Sequence, residues 1–258
     1  MPIAHNQSCR IYWRGDGDPS LPGLVLGNSL GTDVTLWDPI LDELMQHFYV
    51  VRFDMRGHGG SDAPAGDYSL NTLVDDVQAV ISAAKLQTFS YAGISLGGMV
   101  GMELAARQPQ GLAKVVLSNT AFEFPAGIWG ARIDSVMQSG MGSIIDAVLG
   151  RFFTEGFVQA NSLAFRRVKN IVLMQTPGGY AGCCAAIRDM DIVNRLSSIA
   201  IPALVVVGEF DLSTPPSRGE DILARVKGAK LVNLPSAHIP VTEIPQAYSA
   251  ALLGFLRT

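Results

Sequence analysis

The chain of 258 residues is 48% hydrophobic and 16% charged, a balance typical of a folded protein with a large core, and this excludes an intrinsically disordered one. Its formal net charge of −4 gives no broad basic surface, so we expect neither nucleic acid nor a membrane as a partner. The three cysteines suit neither a disulfide framework nor a zinc site, and no apolar run reaches the roughly 18 residues of a membrane span.

Short apolar runs rich in β-branched residues alternate with longer helical patterns in the first and last parts of the chain. Helices are predicted at residues 70–84 and 96–107. The six predicted strands are residues 24–26, 49–53, 89–92, 115–117, 204–207 and 230–234. This alternation predicts a mostly parallel sheet with helices on both faces. Ligands of such sheets bind beyond the carboxyl ends of the strands, so the residues that follow each strand are candidates for a site.

The alternation stops between residues 121 and 195, where the sequence shows no strand pattern. Helices are expected there around residues 127–138, 143–153, 157–175 and 180–188. We predict one α/β core formed by residues 1–120 and 196–258, with residues 121–195 inserted as a helical cap. A separate helical domain is the alternative, because a segment of this size could fold alone.

Residues 93–97 are Gly-Ile-Ser-Leu-Gly, and this G-x-S-x-G pattern is that of a nucleophile elbow. The pattern alone is weak evidence, because chance would place one such match in a chain of this length roughly one time in ten, but here a predicted strand precedes Ser95 and a predicted helix follows it. On such a turn the serine takes a strained backbone conformation, and the flanking glycines let neighbouring chain approach closely. We therefore predict Ser95 as a nucleophile, with the N-terminus of the next helix beneath the developing oxyanion.

A serine hydroxyl needs a general base, and in folds with this elbow the chain order is serine, acid, histidine. Of the four histidines only His238 follows Ser95, and it comes directly after the last predicted strand. His58 follows an earlier strand, where its glycine-rich surroundings favour a role in bonding a turn. Asp211 follows the penultimate predicted strand and is the predicted acid that orients the imidazole. Glu209 in the same loop is the alternative acid.

A tetrahedral intermediate needs two backbone donors. One should be the amide of Leu96, the residue after the nucleophile. The other should come from the loop after residues 24–26, where the sequence Gly-Asn-Ser-Leu-Gly points to Ser29, although a plain glycine turn is the alternative. The sequence contains no phosphate-binding loop, dinucleotide motif or metal-ligand spacing, so we expect neither a cofactor nor a metal.

Further motifs extend over almost the whole chain. The most particular is Gly-Tyr-Ala-Gly-Cys-Cys-Ala-Ala-Ile-Arg-Asp at residues 179–189 of the predicted cap. The others are Asn-Ser-Leu-Gly-Thr at 28–32, Trp-Asp-Pro at 37–39, Asp-Met-Arg-Gly-His-Gly at 54–59, the elbow continued to residue 99, and Asp211 with Thr-Pro-Pro at 214–216. With these motifs the chain resembles the bacterial 3-oxoadipate enol-lactonases of the α/β-hydrolase superfamily. It departs from them at residues 239–241, Ile-Pro-Val, where members more often carry small polar residues.

The resemblance implies an α/β-hydrolase fold and the hydrolysis of an enol-lactone through an acyl-enzyme on Ser95. The substrate of that family carries a free carboxylate, so a cationic cap residue above the serine is also implied. Arg132, beside Trp129 on the first cap helix, is the first candidate, and Arg188 is the second. Either arginine could instead be a solvated surface charge. Whether the cysteines at 183–184 contact the substrate is left open.

Two other interpretations stay open at this point. The same three residues serve other carboxylesterases, other lactonases and cofactor-free perhydrolases, and a binding protein could use the same fold. The presence of all three predicted residues argues against a binding protein. The sequence begins with no basic region followed by an apolar run, so we expect no secretory leader and a cytoplasmic location.

Overall fold

The computed structural model describes residues 2–125 and 127–258. Within them lie the strands β1 (Ile3–Asn6), β2 (Cys9–Asp16), β3 (Gly23–Gly27), β4 (Tyr49–Phe53), β5 (Phe89–Ile94), β6 (Leu112–Ser118), β7 (Ala203–Gly208) and β8 (Lys230–Leu234). They form one sheet in the order β1-β2-β4-β3-β5-β6-β7-β8. The six strands from β3 to β8 run parallel, whereas β2 pairs antiparallel with both β1 and β4.

All six predicted strands are present, and the predicted mostly parallel sheet is confirmed. The hairpin of β1 and β2 was not predicted. In β2 the first residues alternate between buried and exposed, and the strand does not form a continuous apolar run. An antiparallel strand near the edge of a sheet needs only one buried face, so the sequence of β2 lacks the apolar run by which the central strands were found.

The described residues include eleven α-helices: α1 (Asp38–Met45), α2 (Leu70–Ala83), α3 (Leu96–Ala106), α4 (Ile128–Ser139), α5 (Ile145–Phe152), α6 (Glu155–Ala160), α7 (Leu163–Leu173), α8 (Pro177–Arg188), α9 (Pro216–Arg225), α10 (Pro240–Glu243) and α11 (Pro245–Leu256). Helix α3 packs against β5 and β6, and every one of its residues is buried. Its sequence is accordingly apolar except for Glu103, whose carboxylate pairs with Arg107 and Arg195. None of the helices in the two described ranges is long and apolar enough to span a bilayer.

Helices α4 to α8 all lie between β6 and β7, where the sequence predicted an inserted helical cap. The single helix predicted at residues 157–175 is wrong, because α6 and α7 occupy that range. Asn161 has a left-handed φ of 42°, and Ser162 caps α7 by accepting a hydrogen bond from the Phe165 amide at 3.2 Å. The exact division of the chain into a core and a cap at residues 120 and 196 stays a prediction.

Candidate active site

Ser95 lies on a sharp turn between β5 and α3, with φ of 56° and ψ of −115°. This backbone conformation is costly for a residue with a side chain and persists only where neighbouring contacts support it. The Ser95 amide donates to the Ser118 carbonyl oxygen at 2.9 Å, and the Ser95 carbonyl oxygen accepts from the Thr120 hydroxyl at 2.8 Å. The residues at and after the end of β6 therefore support the strained turn.

Two glycines flank Ser95 because neighbouring backbone passes too close for a side chain. A Cβ atom on Gly93 would lie 2.2 Å from the Gly97 carbonyl oxygen, and one on Gly97 would lie 2.3 Å from the Gly27 carbonyl oxygen. The same close approach lets the Gly97 amide donate to the Asn28 carbonyl oxygen at 3.0 Å. The turn is thereby joined to the loop that follows β3.

His238 and Asp211 form a buried pair, with Nδ1 of the imidazole 2.7 Å from Oδ2 of the carboxylate. Asp211 follows β7 and His238 follows β8, which are neighbouring parallel strands. The carboxylate is saturated with donors. Its Oδ1 accepts from the amides of Ser213 and Thr214 at 2.7 and 2.9 Å, and its Oδ2 accepts from the Thr214 hydroxyl at 2.7 Å and from Asn119 Nδ2 at 3.0 Å.

The donors around Asp211 keep it ionised. Burial by itself raises the pKa of Asp211, but the charge and hydrogen bond of His238, together with the other hydrogen bonds, lower the pKa below its ordinary value. An ionised carboxylate only accepts, so Nδ1 of His238 carries the proton and Nε2 is left as an acceptor. Glu209, the alternative acid, is exposed and makes no side-chain hydrogen bond to His238 within the described residues.

A cavity of about 420 Å³ is lined by both Ser95 and His238. Its volume lies within the range of small-molecule sites. No direct hydrogen bond joins Ser95 Oγ to the imidazole in the described part of the chain, and such bonds commonly tighten only when substrate binds. The apolar part of the lining includes Leu30, Met99, Phe124, Trp129, Phe152 and Tyr180.

The loop after β3 contributes Ser29 to the same cavity. The amides of Ser29 and Leu96 donate to no other protein group within the described ranges, so both are available as donors. The side chain of Asn28 fixes the loop through two hydrogen bonds. Its side-chain oxygen accepts from Trp37 Nε1 at 2.8 Å, and its side-chain nitrogen donates to the Phe53 carbonyl oxygen at 2.8 Å.

His58 forms a hydrogen bond with this loop and does not line the cavity. Its Nε2 accepts a hydrogen bond from the Gly31 amide at 3.0 Å, and its Nδ1 lies 3.3 Å from the Arg56 carbonyl oxygen. Burial lowers the pKa of His58 to about 4, so the ring is neutral at pH 7. The contacts are those of a histidine that bonds a turn.

The first predicted cap cation lies at the cavity. Arg132 and Trp129 both line it, and the guanidinium carbon of Arg132 lies 4.9 Å from the centroid of the Trp129 ring. Arg132 forms no ion pair among the described residues. The second candidate must be corrected. Arg188 is exposed outside the cavity and pairs with Asp67 and Asp189 at 2.8 and 2.5 Å, so two surface carboxylates already neutralise it.

Two further arginines line the cavity, and the sequence analysis did not single them out. Arg151 forms no ion pair in the described chain, and Arg218 lies 3.5 Å from Glu123 and 3.7 Å from Asp221. Of the described residues, no aspartate or glutamate lines this cavity. A chain with a formal net charge of −4 thus has a cavity with a locally positive lining.

A family model described as the alpha/beta hydrolase fold matches residues 22–241. The chain belongs to the α/β-hydrolase family. This hydrolase is 30% identical to a 3-oxoadipate enol-lactonase of Acinetobacter baylyi, over 100% of the chain and 99% of that protein. It is 29% identical to a putative carbamate hydrolase of Agrobacterium fabrum, over 94% and 95% of the two chains. The crystal structure of an enol-lactonase from Burkholderia xenovorans is 33% identical, covers both chains fully and has a TM-score of 0.97.

The motif at residues 179–189 of the hydrolase fits α8 onto the core. A Cβ atom on Gly57 would lie 2.5 Å from the Gly179 Cα atom, so two backbones touch there. Cys183 is buried, and its Sγ lies 3.6 Å from the Arg56 carbonyl oxygen. Burial raises the pKa of the Cys183 and Cys184 thiols, and neither residue lines the cavity. The motif therefore holds the cap against the turn at residues 56–59.

Several residues at the site of this α/β hydrolase were given no role in the site from the sequence, although Thr214 and Tyr180 lie in the quoted motifs. Asn119 follows β6 and Thr214 comes three positions after Asp211, so the rule about strand ends points at both. Tyr180 and Phe152 line the cavity from cap helices. No periodicity or spacing could have placed these two rings, because the cap is joined to the core through contacts distant in sequence.

Proposed function

We propose that this α/β hydrolase converts 3-oxoadipate enol-lactone to 3-oxoadipate through an acyl-enzyme on Ser95. The observation that carries the proposal is one cavity lined by Ser95, His238 and Arg132, in which His238 is bonded to Asp211 and Arg132 forms no ion pair among the described residues. The similarity to enol-lactonases over the full chain supports the choice of substrate. A role in aromatic-compound catabolism and a cytoplasmic location are part of the same proposal.

In the first step Ser95 Oγ attacks the lactone carbonyl carbon while Nε2 of His238 takes the hydroxyl proton. The ionised Asp211 stabilises the imidazolium that forms and does not itself accept the proton. The amides of Ser29 and Leu96 donate to the oxyanion of the tetrahedral intermediate. Each donor is expected to lower the barrier by about 3–4 kcal/mol.

Collapse of the intermediate breaks the ring C–O bond and releases an enolate oxygen, to which His238 returns the proton. The leaving group stays attached to the acyl chain because the substrate is cyclic. The enol then tautomerises to a ketone, which makes ring opening effectively irreversible. In the second step His238 Nε2 takes a proton from water while the water oxygen attacks the ester carbonyl. The acyl C–Oγ bond then breaks, His238 returns the proton to Ser95 Oγ, and the dicarboxylate product is released.

Arg132 is the residue proposed to bind the substrate carboxylate. The guanidinium carbon of Arg132 lies over the Trp129 ring, and no carboxylate among the described residues pairs with it, so its N–H groups can bind the carboxylate of a substrate. The lining without acidic side chains adds to the preference for an anion.

The test is steady-state hydrolysis of 3-oxoadipate enol-lactone beside a neutral lactone and p-nitrophenyl acetate, with Ser95→Ala as the control. We expect a much larger kcat/KM for the anionic lactone, abolished in Ser95→Ala. Equal or better turnover of the neutral compounds would contradict the lactonase proposal and would indicate a general carboxylesterase that uses the same residues. Undiminished turnover by the Ser95→Ala protein would overturn the mechanism.

A further inference from the structure

The backbone of the His238 loop is bonded to the cap. The amides of His238 and Ile239 both donate to the Phe152 carbonyl oxygen, each at 3.1 Å. Phe152 is the last residue of α5, and its ring stacks on the imidazole with centroids 5.4 Å apart. The cap thus supplies the acceptor for the His238 amide, whereas the side chain of His238 is bonded to the core through Asp211.

Glu243 makes a second bridge between the same two segments. Its Oε1 accepts from the Thr154 amide at 3.0 Å and from the Thr154 hydroxyl, and its Oε2 accepts from the Ala237 amide at 2.8 Å. Thr154 comes two residues after Phe152, and Ala237 directly precedes His238. One carboxylate therefore spans the gap between the cap and the loop of the imidazole.

Both oxygens of Glu243 are used by neutral donors. No cation forms an ion pair with Glu243 in the described chain, and the side chain does not line the cavity. Hydrogen bonds to an ionised acceptor are about twice as strong as those between neutral groups, so this carboxylate fixes the two segments firmly. Glu243 is half-buried at the end of the short helix α10, and its contacts are these hydrogen bonds and not a surface ion pair.

We propose that Glu243 is a positioning residue for the reaction: it fixes the Phe152–Thr154 end of the cap to the Ala237–His238 backbone and so sets where the imidazole points. The proposal rests on the proposed function of Ser95 and His238. It follows that displacement of the cap at this end shifts the base. The cap arrangement that encloses the substrate is therefore also the one that orients His238.

Glu243→Gln tests the proposal, because the side chain keeps its size but offers only one acceptor oxygen. That oxygen can serve Thr154 or Ala237, while the new NH₂ group faces a donor at the other end. We expect kcat for p-nitrophenyl acetate, and the rate of Ser95 labelling by a fluorophosphonate, to fall about 10- to 100-fold with KM little changed. Glu220→Gln is the matched control, since Glu220 is exposed on α9 and its loss changes the net charge equally.

Variants of Thr154 provide an independent measurement. Thr154→Val removes only the hydroxyl donor and should slow Ser95 labelling about fivefold. Thr154→Ser keeps the hydroxyl and should restore the wild-type rate. All rates are expressed per folded molecule, with folding followed by circular dichroism and thermal unfolding. Lower stability with an unchanged labelling rate in both Glu243→Gln and Thr154→Val would overturn the proposal and leave Glu243 a structural residue.

Failure of the proposed substrate gives a different result. A wild-type protein that is labelled at Ser95 but does not hydrolyse the anionic lactone sinks the lactonase assignment, while the Glu243 comparison keeps its meaning. A wild-type protein that is not labelled at Ser95 at all sinks both proposals.

Discussion

Asn119 Nδ2 lies 3.0 Å from Asp211 Oδ2 and also donates to the Ala237 carbonyl oxygen at 3.1 Å. One side-chain amide thus links the loop of the acid to the loop of the imidazole. Asn119 has a left-handed φ of 47° just after β6, a conformation that asparagine adopts more readily than most residues. The placement of the Asp211–His238 pair therefore depends on a third strand that supplies no reacting group.

Asn119→Gly should reduce kcat for p-nitrophenyl acetate about tenfold, because a hydrogen bond to a charged group contributes about 1.5–3 kcal/mol. Glycine accepts the left-handed backbone, so the change removes the side chain without adding strain. Asn161→Gly is the control, since Asn161 has a similar φ of 42° on the cap. The comparison is made on kcat and on thermal unfolding. A wild-type kcat in Asn119→Gly would show that the other donors hold Asp211 without it.

Arg132→Gln should raise KM for the anionic lactone about 10- to 100-fold, the equivalent of about 1.5–3 kcal/mol for a charged hydrogen bond. Hydrolysis of p-nitrophenyl acetate should not change, because that ester carries no carboxylate. Arg188→Gln is the matched control, since Arg188 lies outside the cavity and is paired with two acids. Equal KM increases for the charged and neutral substrates would assign Arg132 to the shape of the cavity instead of to charge recognition.

Local patterns predicted the central part of the fold because its strands are buried on both faces. Every residue of β5 and β7 is buried, so both strands appear as largely apolar runs, with Ser90 as the polar exception in β5. The edge hairpin and the break at Asn161 carry no such signal. The break depends on one residue adopting a left-handed conformation, which a helical periodicity over residues 157–175 does not register.

The chain order of Ser95, Asp211 and His238 predicted three residues that the structure brings to one end of the sheet. Parallel strands make this inference sound, because their carboxyl ends meet at one edge. In the cap, by contrast, the sequence did not determine which arginine lies at the cavity. Arg132 was ranked before Arg188 because it lies beside Trp129 on the first cap helix, but tertiary contacts are what place one at the cavity and pair the other on the surface.

Gly97→Ala should destabilise the protein strongly. Its Cβ atom would lie 2.3 Å from the backbone oxygen of Gly27, which cannot move without displacing the loop of Ser29. Overpacking of this kind typically costs about 1–3 kcal/mol. Gly254→Ala is the matched control, because that glycine lies in α11 with open space around it and should gain about 0.5–1 kcal/mol. Urea unfolding of the two variants should move in opposite directions, and parallel shifts would contradict the steric argument.

His58 should make the free energy of unfolding depend on pH. Burial lowers its pKa from 6.5 to about 4, so between these values the unfolded chain binds a proton that the folded protein does not. Stability from this group is complete above pH 6.5 and is lost as the pH falls to 4, a loss of about 3 kcal/mol. Asp54, whose pKa burial raises to about 6, contributes the opposite slope, so a variant is needed to separate the two.

His58→Gln isolates that contribution. The glutamine oxygen can still accept the Gly31 amide, but the side chain does not titrate, whereas Asp54 is unchanged. The variant should be less stable at pH 7 and should lose less stability than the wild type between pH 6.5 and 4, so that the two curves converge. Urea unfolding at intervals of half a pH unit measures the difference. Parallel curves would mean that His58 is protonated at the same pH in the folded and unfolded protein. The inference that burial keeps its ring neutral next to the Ser29 loop would then be wrong.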